Sequence, residues 1–544
     1  LGLFVIQRQR TEQAEEQRHI QEGLNLRLAE QIAVADSLRL ETEATNVQLG
    51  DQFAVTDSIR QEEEAANEEL TTQISVSNRL RRQSDELRLV AEAANEQLTE
   101  QIGVSDSLRG VSESLLESAR SSRIETITIA LASHAMRQLR LGDAELGALL
   151  ARQAYQFSKG GNGAFIAPVH EALMASLDAL GEKPALDGFL EGASVRSVAY
   201  APDNAHVAWG DENGAVTLAS INRDGAVTTK LGRQTAEVRT VAYNPDPNQN
   251  IIASGGLDGR VLLWEDPLQA DTKPVVLGDQ RTPIWTVAFS ADGSRLASAG
   301  QGTEIKLWDV KSRQQSGSIP VEGGRIRSVQ FSPVAPLLAA AGDDGFIRIW
   351  DLQNTDAPPT SWQTSQGRVQ AVAFGPDGTQ LASGGTTTEI RLWVLDADSG
   401  DWSIGPVLQG HEGPINALAF SPHGTRLASG SADHNVQVWD LSQPTISPIL
   451  IQGHSSWVWS LAFKPDGSEL VSAGADKHVL TWYVDLAQMA DRICTAVDDR
   501  ELTPDEWSRF VGVDVPYHDN YEPCATRAAS QLRGQNPELG AVNR

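Results

Sequence analysis

The chain has 544 residues, with 44 Lys+Arg against 72 Asp+Glu and a formal net charge of −28. That length implies three or four domains, and the acidic balance excludes non-specific attraction to nucleic acid or anionic lipid, whose phosphates the field repels. A hydrophobic content of 40% with 46 Gly excludes wholesale disorder, and two cysteines exclude a disulfide scaffold or a Cys-based zinc ribbon.

No Pro precedes Pro168, no Lys precedes Lys159 and no Trp precedes Trp209, so two kinds of structure join near residue 180. The chain opens Leu1-Gly2-Leu3-Phe4-Val5-Ile6 and turns at once to Gln7-Arg8-Gln9-Arg10. No apolar run reaches the roughly 18 residues that cross a bilayer. Residues 1–9 fit the end of a transmembrane helix whose anchor lies upstream of residue 8; the alternative is the frayed start of a soluble helix. Basic residues after the apolar stub favour a membrane-associated protein with its soluble portion in the cytoplasm, a periplasmic or extracellular location being the alternative.

Residues 10–120 repeat a motif four times: Asn25-x-x-Leu28-x-x-Gln31-Ile32-x-Val34, and again from Asn46, Asn67 and Asn95. The spacings of 21, 21 and 28 residues are multiples of seven, which is the mark of a heptad seam. Leu28, Leu49, Leu70 and Leu98 share one heptad position, while Leu38, Ile59, Leu80 and Leu108 share another. The flanking Ile32 and Val34 positions broaden the apolar face, favouring three or more helices, within or between chains. A coiled-coil stalk or folded-back bundle that sets a homo-oligomer is predicted. Gln31, Gln52, Gln73 and Gln101 recur at a seam position as polar layers. Residues 121–182 predict a helical adaptor of three short helices: Ile124–Leu139, Ala144–Phe157 capped by Asp143, and Val169–Leu180 opened by Pro168.

From Val195 a second repeat begins. Strand starts read Val195-Arg-Ser-Val-Ala-Tyr, Val238-Arg-Thr-Val-Ala-Tyr, Ile284-Trp-Thr-Val-Ala-Phe and Ile326-Arg-Ser-Val-Gln-Phe, then recur at Val369, Ile415 and Val458. Intervals of 42 to 46 residues, with an apolar strand ending in Trp in all copies but the first, mean four-stranded propeller blades. The seventh copy ends after Trp482-Tyr483-Val484, so its outer strand must come from elsewhere, and Ala185–Leu190 is the donor that closes the ring.

Trp308-Asp309, Trp350-Asp351 and Trp439-Asp440, with Gly410-His411 and Gly453-His454, resemble the WD40 (WD-repeat) β-propeller family. Trp264-Glu265, Trp393-Val394 and Trp482-Tyr483 are degenerate pairs, and the first copy has Leu218 where Trp is expected. The resemblance implies buried hydrogen-bonded tetrads, here His411, Ser429, Asp433, Trp439 and His454, Ser472, Asp476, Trp482, with Asp258 and Asp344 as the turn Asp of two other blades. It gives them a structural role, not that of a catalytic triad.

After the propeller (residues 183–484) comes a cap over 485–524, with a helix from Leu486 to Val497 and a second opened by the capping box Thr503-Pro504-Asp505-Glu506. Cys494 and Cys524 stand there as a disulfide or as two buried thiols. Residues 525–544 read as a disordered tail. The layout resembles the C-terminal half of bacterial multidomain proteins that join a STAND-type NTPase or caspase-like protease to WD repeats. The expected fold class is therefore multidomain, α plus all-β: coiled coil, helical adaptor, seven-bladed propeller and short helical cap.

The chain holds neither a Gly-x-x-x-x-Gly-Lys-Ser/Thr loop nor a paired catalytic Cys–His, so no enzyme, cofactor or metal centre is expected. A non-catalytic interaction or sensor scaffold is expected, its propeller binding a protein or peptide and its coil coupling it to an upstream effector. The alternative is a structural assembly subunit without a regulated ligand. In WD propellers the second residue of each innermost strand lies at the mouth of the axial channel. Those residues are Arg196, Arg239, Trp285, Arg327, Gln370, Asn416 and Trp459, a cationic and aromatic ring suited to an acidic or C-terminal peptide. His454 and Trp457 are expected at its rim.

Overall fold

The structure, a computed structural model, describes residues 74–160, 167–186, 189–190, 192–222, 225–269, 273–396, 400–442, 448–498, 500–512, 515 and 524; within 74–109 only some side chains are described. The membrane stub, the first two motif copies, most of the third and the C-terminal tail lie outside these residues. Two compact units divide at Thr126/Ile127. Among the described residues no helix is long and apolar enough to cross a membrane.

The first described helix, Ile74–Arg140, runs 67 residues and carries the fourth motif copy from Asn95. The break expected between coil and adaptor near residue 120 is absent. Ser121-Ser122-Arg123 contains no Gly or Pro to stop the helix, and the Thr126 and Ser133 hydroxyls donate back to the Ser122 and Ile129 carbonyls instead of capping a new start. The helix ends where Gly142 takes a φ of 87°. Asp143 then accepts the Leu146 amide at 3.1 Å and starts the helix Ala144–Gly160, which Ala167–Ala179 follows.

Seven four-stranded antiparallel sheets follow. Calling the strands of each blade a to d from the axis outward, the a strands are Val195–Tyr200, Val238–Tyr243, Ile284–Phe289, Ile326–Phe331, Val369–Phe374, Ile415–Phe420 and Val458–Phe463. Their first and fourth residues are mostly buried between blades. A small residue on strand b makes the seat: a Cβ added at Gly255 would stand 2.7 Å from Ile284 Cγ2, and one at Gly430 2.7 Å from Val458 Cγ1. Each blade thus locks the first residue of the next. A hydroxyl at the third position of strand a adds a bond between blades. Ser197 accepts the Val241 amide at 2.9 Å, Thr240 that of Val287, Thr286 that of Val329 and Ser328 that of Val372.

The last blade, Val458–Phe463, Glu469–Gly474 and His478–Tyr483, takes its fourth strand from Phe189–Leu190, paired Phe189↔Val479 and Leu190↔His478. The first blade departs from the expected register. Leu427 opposes Trp439 in the sixth blade, whereas Val207 opposes Ala219 in the first, so Ala219 rather than Leu218 holds the tryptophan position. Trp209 stands where the serine of other blades stands and fills the space from strand b; both Trp209 and Ala219 are fully buried.

Helices Leu486–Ala496 and Pro504–Phe510 complete the fold, the second with its Thr503–Glu506 capping box formed. Together with the helices before the propeller they make one layer. Phe157 packs on Trp507 with ring centroids 6.1 Å apart, His134 meets Phe510 edge-on, and Cys494 and Cys524 are joined as a disulfide. The fully buried His170 ring donates to the Tyr483 carbonyl at 2.9 Å, and burial holds its pKa down at about 4.

Candidate functional site

The two ends of the propeller differ. Tyr483 ends strand c and Arg426 begins strand b, and the contacts of His170 to Tyr483 and of Arg426 to the Val484 carbonyl put the helical layer at that end. The opposite end carries the d–a loops and b–c turns. There stand Arg196, Arg239, Trp285, Arg327, Gln370, Asn416 and Trp459, all half-buried.

The structure brings these residues into two clusters. Trp457, with 48% of its surface exposed, meets Trp459 edge-on at 5.2 Å, and the Arg196 guanidinium lies 4.6 Å over the Trp459 ring. Arg327 lies 4.0 Å over Trp285, which Arg325 also approaches at 5.4 Å. Asn416 Nδ2 donates to the Val458 carbonyl at 2.9 Å and is a blade-to-blade tie.

The ring is not the free positive charge that the sequence suggests. Glu237 stands 2.5 Å from Arg196 Nε and 3.3 Å from Arg239 Nη2, and Asp343 takes Arg327 through two bonds, at 2.6 and 3.2 Å. Burial, with Arg196 and Arg327 nearby, lowers the pKa of Arg239 against the pull of Glu237. The mouth is therefore aromatic with paired guanidiniums. Glu237 and Asp343 were missed because they sit one residue before strand a and one after strand b; what placed them was blade register, which a scan of strand a alone ignores.

His454 does not reach the rim. Its ring is buried, with Nδ1 2.9 Å from Asp476 Oδ2 and Nε2 2.7 Å from Ser472 Oγ, and Trp482 Nε1 donates to the same hydroxyl at 2.8 Å. His411, Asp433, Ser429 and Trp439 repeat this set. One polarity satisfies every member: indole N–H to Ser Oγ, Ser O–H to His Nε2, His Nδ1–H to Asp. Desolvation pushes the Asp433 and Asp476 carboxyls up, but the histidine bonds and the amides of Asn435, Glu412, Ser455 and His478 win and hold both at about 2. Both serines are wholly buried, so the sets hold turns in place and offer no nucleophile.

In other blades glutamine stands in for histidine. Ser383 donates to Gln366 Oε1 at 2.7 Å while accepting Trp393 Nε1, and Gln234 and Gln280 reach Asp258 and Ser298. The signal was present in the sequence, since Gln234 and Gln280 lie four residues before strand a, as His411 and His454 do. Asp258 also accepts the Thr235 amide, and Asp344 the Phe346 amide. Among the described residues no group of acidic, His or Cys side chains could hold a metal.

The chain matches the family described as "WD domain, G-beta repeat" over residues 225–265, 273–309, 314–351, 358–394, 402–440 and 446–482. Each matched unit begins near the outer strand of one blade and ends at the Trp of the next, so every repeat bridges two blades. Transducin beta-like protein 3 of Bos taurus is 29% identical over 129 residues, covering 24% of this chain and 16% of that protein. Protein transport protein SEC13 homolog A of Arabidopsis thaliana is 33% identical over 81 residues, 14% of this chain and 27% of the relative. The similarity to cell division cycle 20.1, cofactor of APC complex, also of Arabidopsis thaliana, is 27% over 119 residues, 22% of this chain and 25% of the other. The chain thus spans about a sixth to a quarter of the length of these relatives, all of them eukaryotic. Six WD40 repeats are present, and together with the unmatched strands between residues 189 and 222 they make up a seven-bladed propeller.

Proposed function

We propose that this WD40 propeller is a non-catalytic interaction scaffold that takes a protein partner, through an acidic or C-terminal peptide segment, at the channel mouth away from the helical layer. The observation that carries the reading is the exposed Trp457 on Trp459 and Arg196: an indole pair with a stacked guanidinium is the surface chemistry in which binding hot spots concentrate. One relative is named as a cofactor of the APC complex, which fits a scaffold. The heptad segment over residues 10–120 is the oligomerising part and couples the propeller to an effector. Residues 1–9 would tie the protein to a membrane with the propeller on its cytoplasmic side.

Two measurements test this. Fluorescence anisotropy with a labelled hexaglutamate peptide bearing a free C-terminus should show binding by the full chain, weakened about tenfold or more by Trp457→Ala with Trp459→Ala. Equal binding by that variant removes the mouth as the site. Native mass of the full chain against residues 121–544 should show a defined small oligomer that becomes monomeric; open-ended assembly would favour a structural subunit.

A further inference from the structure

Comparison of the fourth and fifth blades shows a position from which a carboxylate is missing. In the fourth, strand b (Leu337–Gly342) turns into strand c (Phe346–Asp351), and Asp344 in the turn pairs with Arg348 on strand c, Nη2 to Oδ2 2.6 Å. In the fifth, Gln380–Gly385 turns into Glu389–Leu395 with the same spacing, so Thr387 takes the place of Asp344 and Arg391 that of Arg348. Register agrees, because Ala340 opposes Arg348 as Ser383 opposes Arg391. The second, fourth, sixth and seventh blades carry the turn Asp; this blade carries Thr386-Thr387-Thr388.

The loss leaves two polar atoms unmatched. Arg391 Nε and Thr387 Oγ1 are both buried and neither makes a hydrogen bond. Among the described residues Arg391 has no carboxylate within ion-pair distance, whereas Lys306, at the same place in the third blade, has Glu304 at 3.6 Å. Arg368 lies one residue before the inner strand of this blade, exposed and likewise without an ion pair among the described residues. A half-buried guanidinium with an orphaned N–H is costly unless an acceptor arrives, and a carboxylate meets it best.

We propose that the fifth blade is a receptor for one acidic side chain of the partner, whose carboxylate occupies the place that Asp344 fills in the fourth, held by Arg391 and Thr387 with Arg368 at the entrance. This rests on the reading of that face as the partner-binding end and names the contact that selects an acidic segment. The mouth indoles supply apolar area; the vacant turn supplies the charge preference.

The test supplies the missing group from within. In the full chain Thr387→Asp should raise the melting temperature and weaken labelled hexaglutamate by roughly tenfold, while Thr388→Asp, which adds the same charge on an exposed neighbour, should leave affinity within about twofold. Arg391→Gln should weaken the peptide as much as Thr387→Asp. Unchanged hexaglutamate affinity in Thr387→Asp overturns the fifth-blade contact but leaves the mouth reading standing if the Trp457/Trp459 variant still loses the peptide. Equal loss in Thr387→Asp and Thr388→Asp makes the effect general repulsion and also overturns it. Failure of the unmodified chain to bind hexaglutamate at low salt, while retaining a peptide of neutral side chains, overturns the acidic preference alone; failure to bind either overturns the mouth reading.

Discussion

The Val198 amide donates to Ser460 Oγ at 3.1 Å, joining the first blade to the last by the same hydroxyl device that links the first five blades in succession. The ring is therefore closed twice, once by this bond near the axis and once by the strand Phe189–Leu190 at the circumference. Ser460→Ala should lower stability by about 1–2 kcal/mol, since it strands an amide in the blade interface. Deleting residues 183–191 should lower it much more. Urea unfolding of the two variants checks both; an unchanged midpoint in the deletion would mean that the strand is incidental to closure.

Acid should loosen the protein in two windows. His170 has its pKa lowered from 6.5 to about 4, so its contribution is present above 6.5 and lost as pH falls toward 4, where the unfolded chain is protonated and the folded one is not. Asp433 and Asp476, lowered from 3.8 to about 2, contribute above 3.8 and lose that contribution between 3.8 and 2. Melting temperature against pH should show both descents. His170→Gln should flatten the upper one and Asp433→Asn with Asp476→Asn the lower.

The exchange of Trp209 and Ala219 predicts coupled behaviour. Trp209→Ser should cost about 3–5 kcal/mol through the cavity left beside Ala219. Adding Ala219→Trp restores the arrangement of the sixth blade, with a serine to accept the indole N–H as Ser429 does for Trp439. The double variant should recover most of the loss, a departure from additivity that a double-mutant cycle measures.

Reduction of Cys494–Cys524, a bridge across 30 residues, should release the C-terminal cap. In the chain-entropy account a loop of that size contributes about 3–4 kcal/mol. Hydrogen exchange at the helix Pro504–Phe510 should accelerate in Cys524→Ser while the propeller amides stay protected. Equal protection would show that Trp507 packing alone holds the cap.

The propeller was legible because its determinants are local and repeated. A buried first position, a hydroxyl or small third and an aromatic sixth recur every 42 to 46 residues, with a terminal Trp in every copy but the first, and the short final copy announces its missing strand. The charge at the mouth was not legible from strand a, because Glu237 and Asp343 come from a d–a loop and a b–c turn that only the register brings beside Arg196 and Arg327. The first blade is offset by one residue from the sequence expectation, since Leu218 is the nearest large apolar residue but Ala219 opposes Val207 as Trp439 opposes Leu427. The helix runs on through Ser121–Arg123 into the stretch expected as a separate short helix, because polar residues without Gly or Pro do not stop it.

The clasp at the seventh blade has a mechanical consequence. Between Ala167 and Leu190 the chain is tied to the last blade by four links that act side by side. His170 holds the Tyr483 carbonyl, the Tyr483 hydroxyl holds the Lys183 carbonyl, the Leu186 amide holds Thr481, and Phe189–Leu190 pairs with His478–Val479. All four grip one segment, residues 478–483. Tension is shared across that segment instead of peeling a two-residue strand from its end. The last blade alone depends on a strand from the far end of the propeller sequence, while the other six each take all four strands from one contiguous stretch of chain.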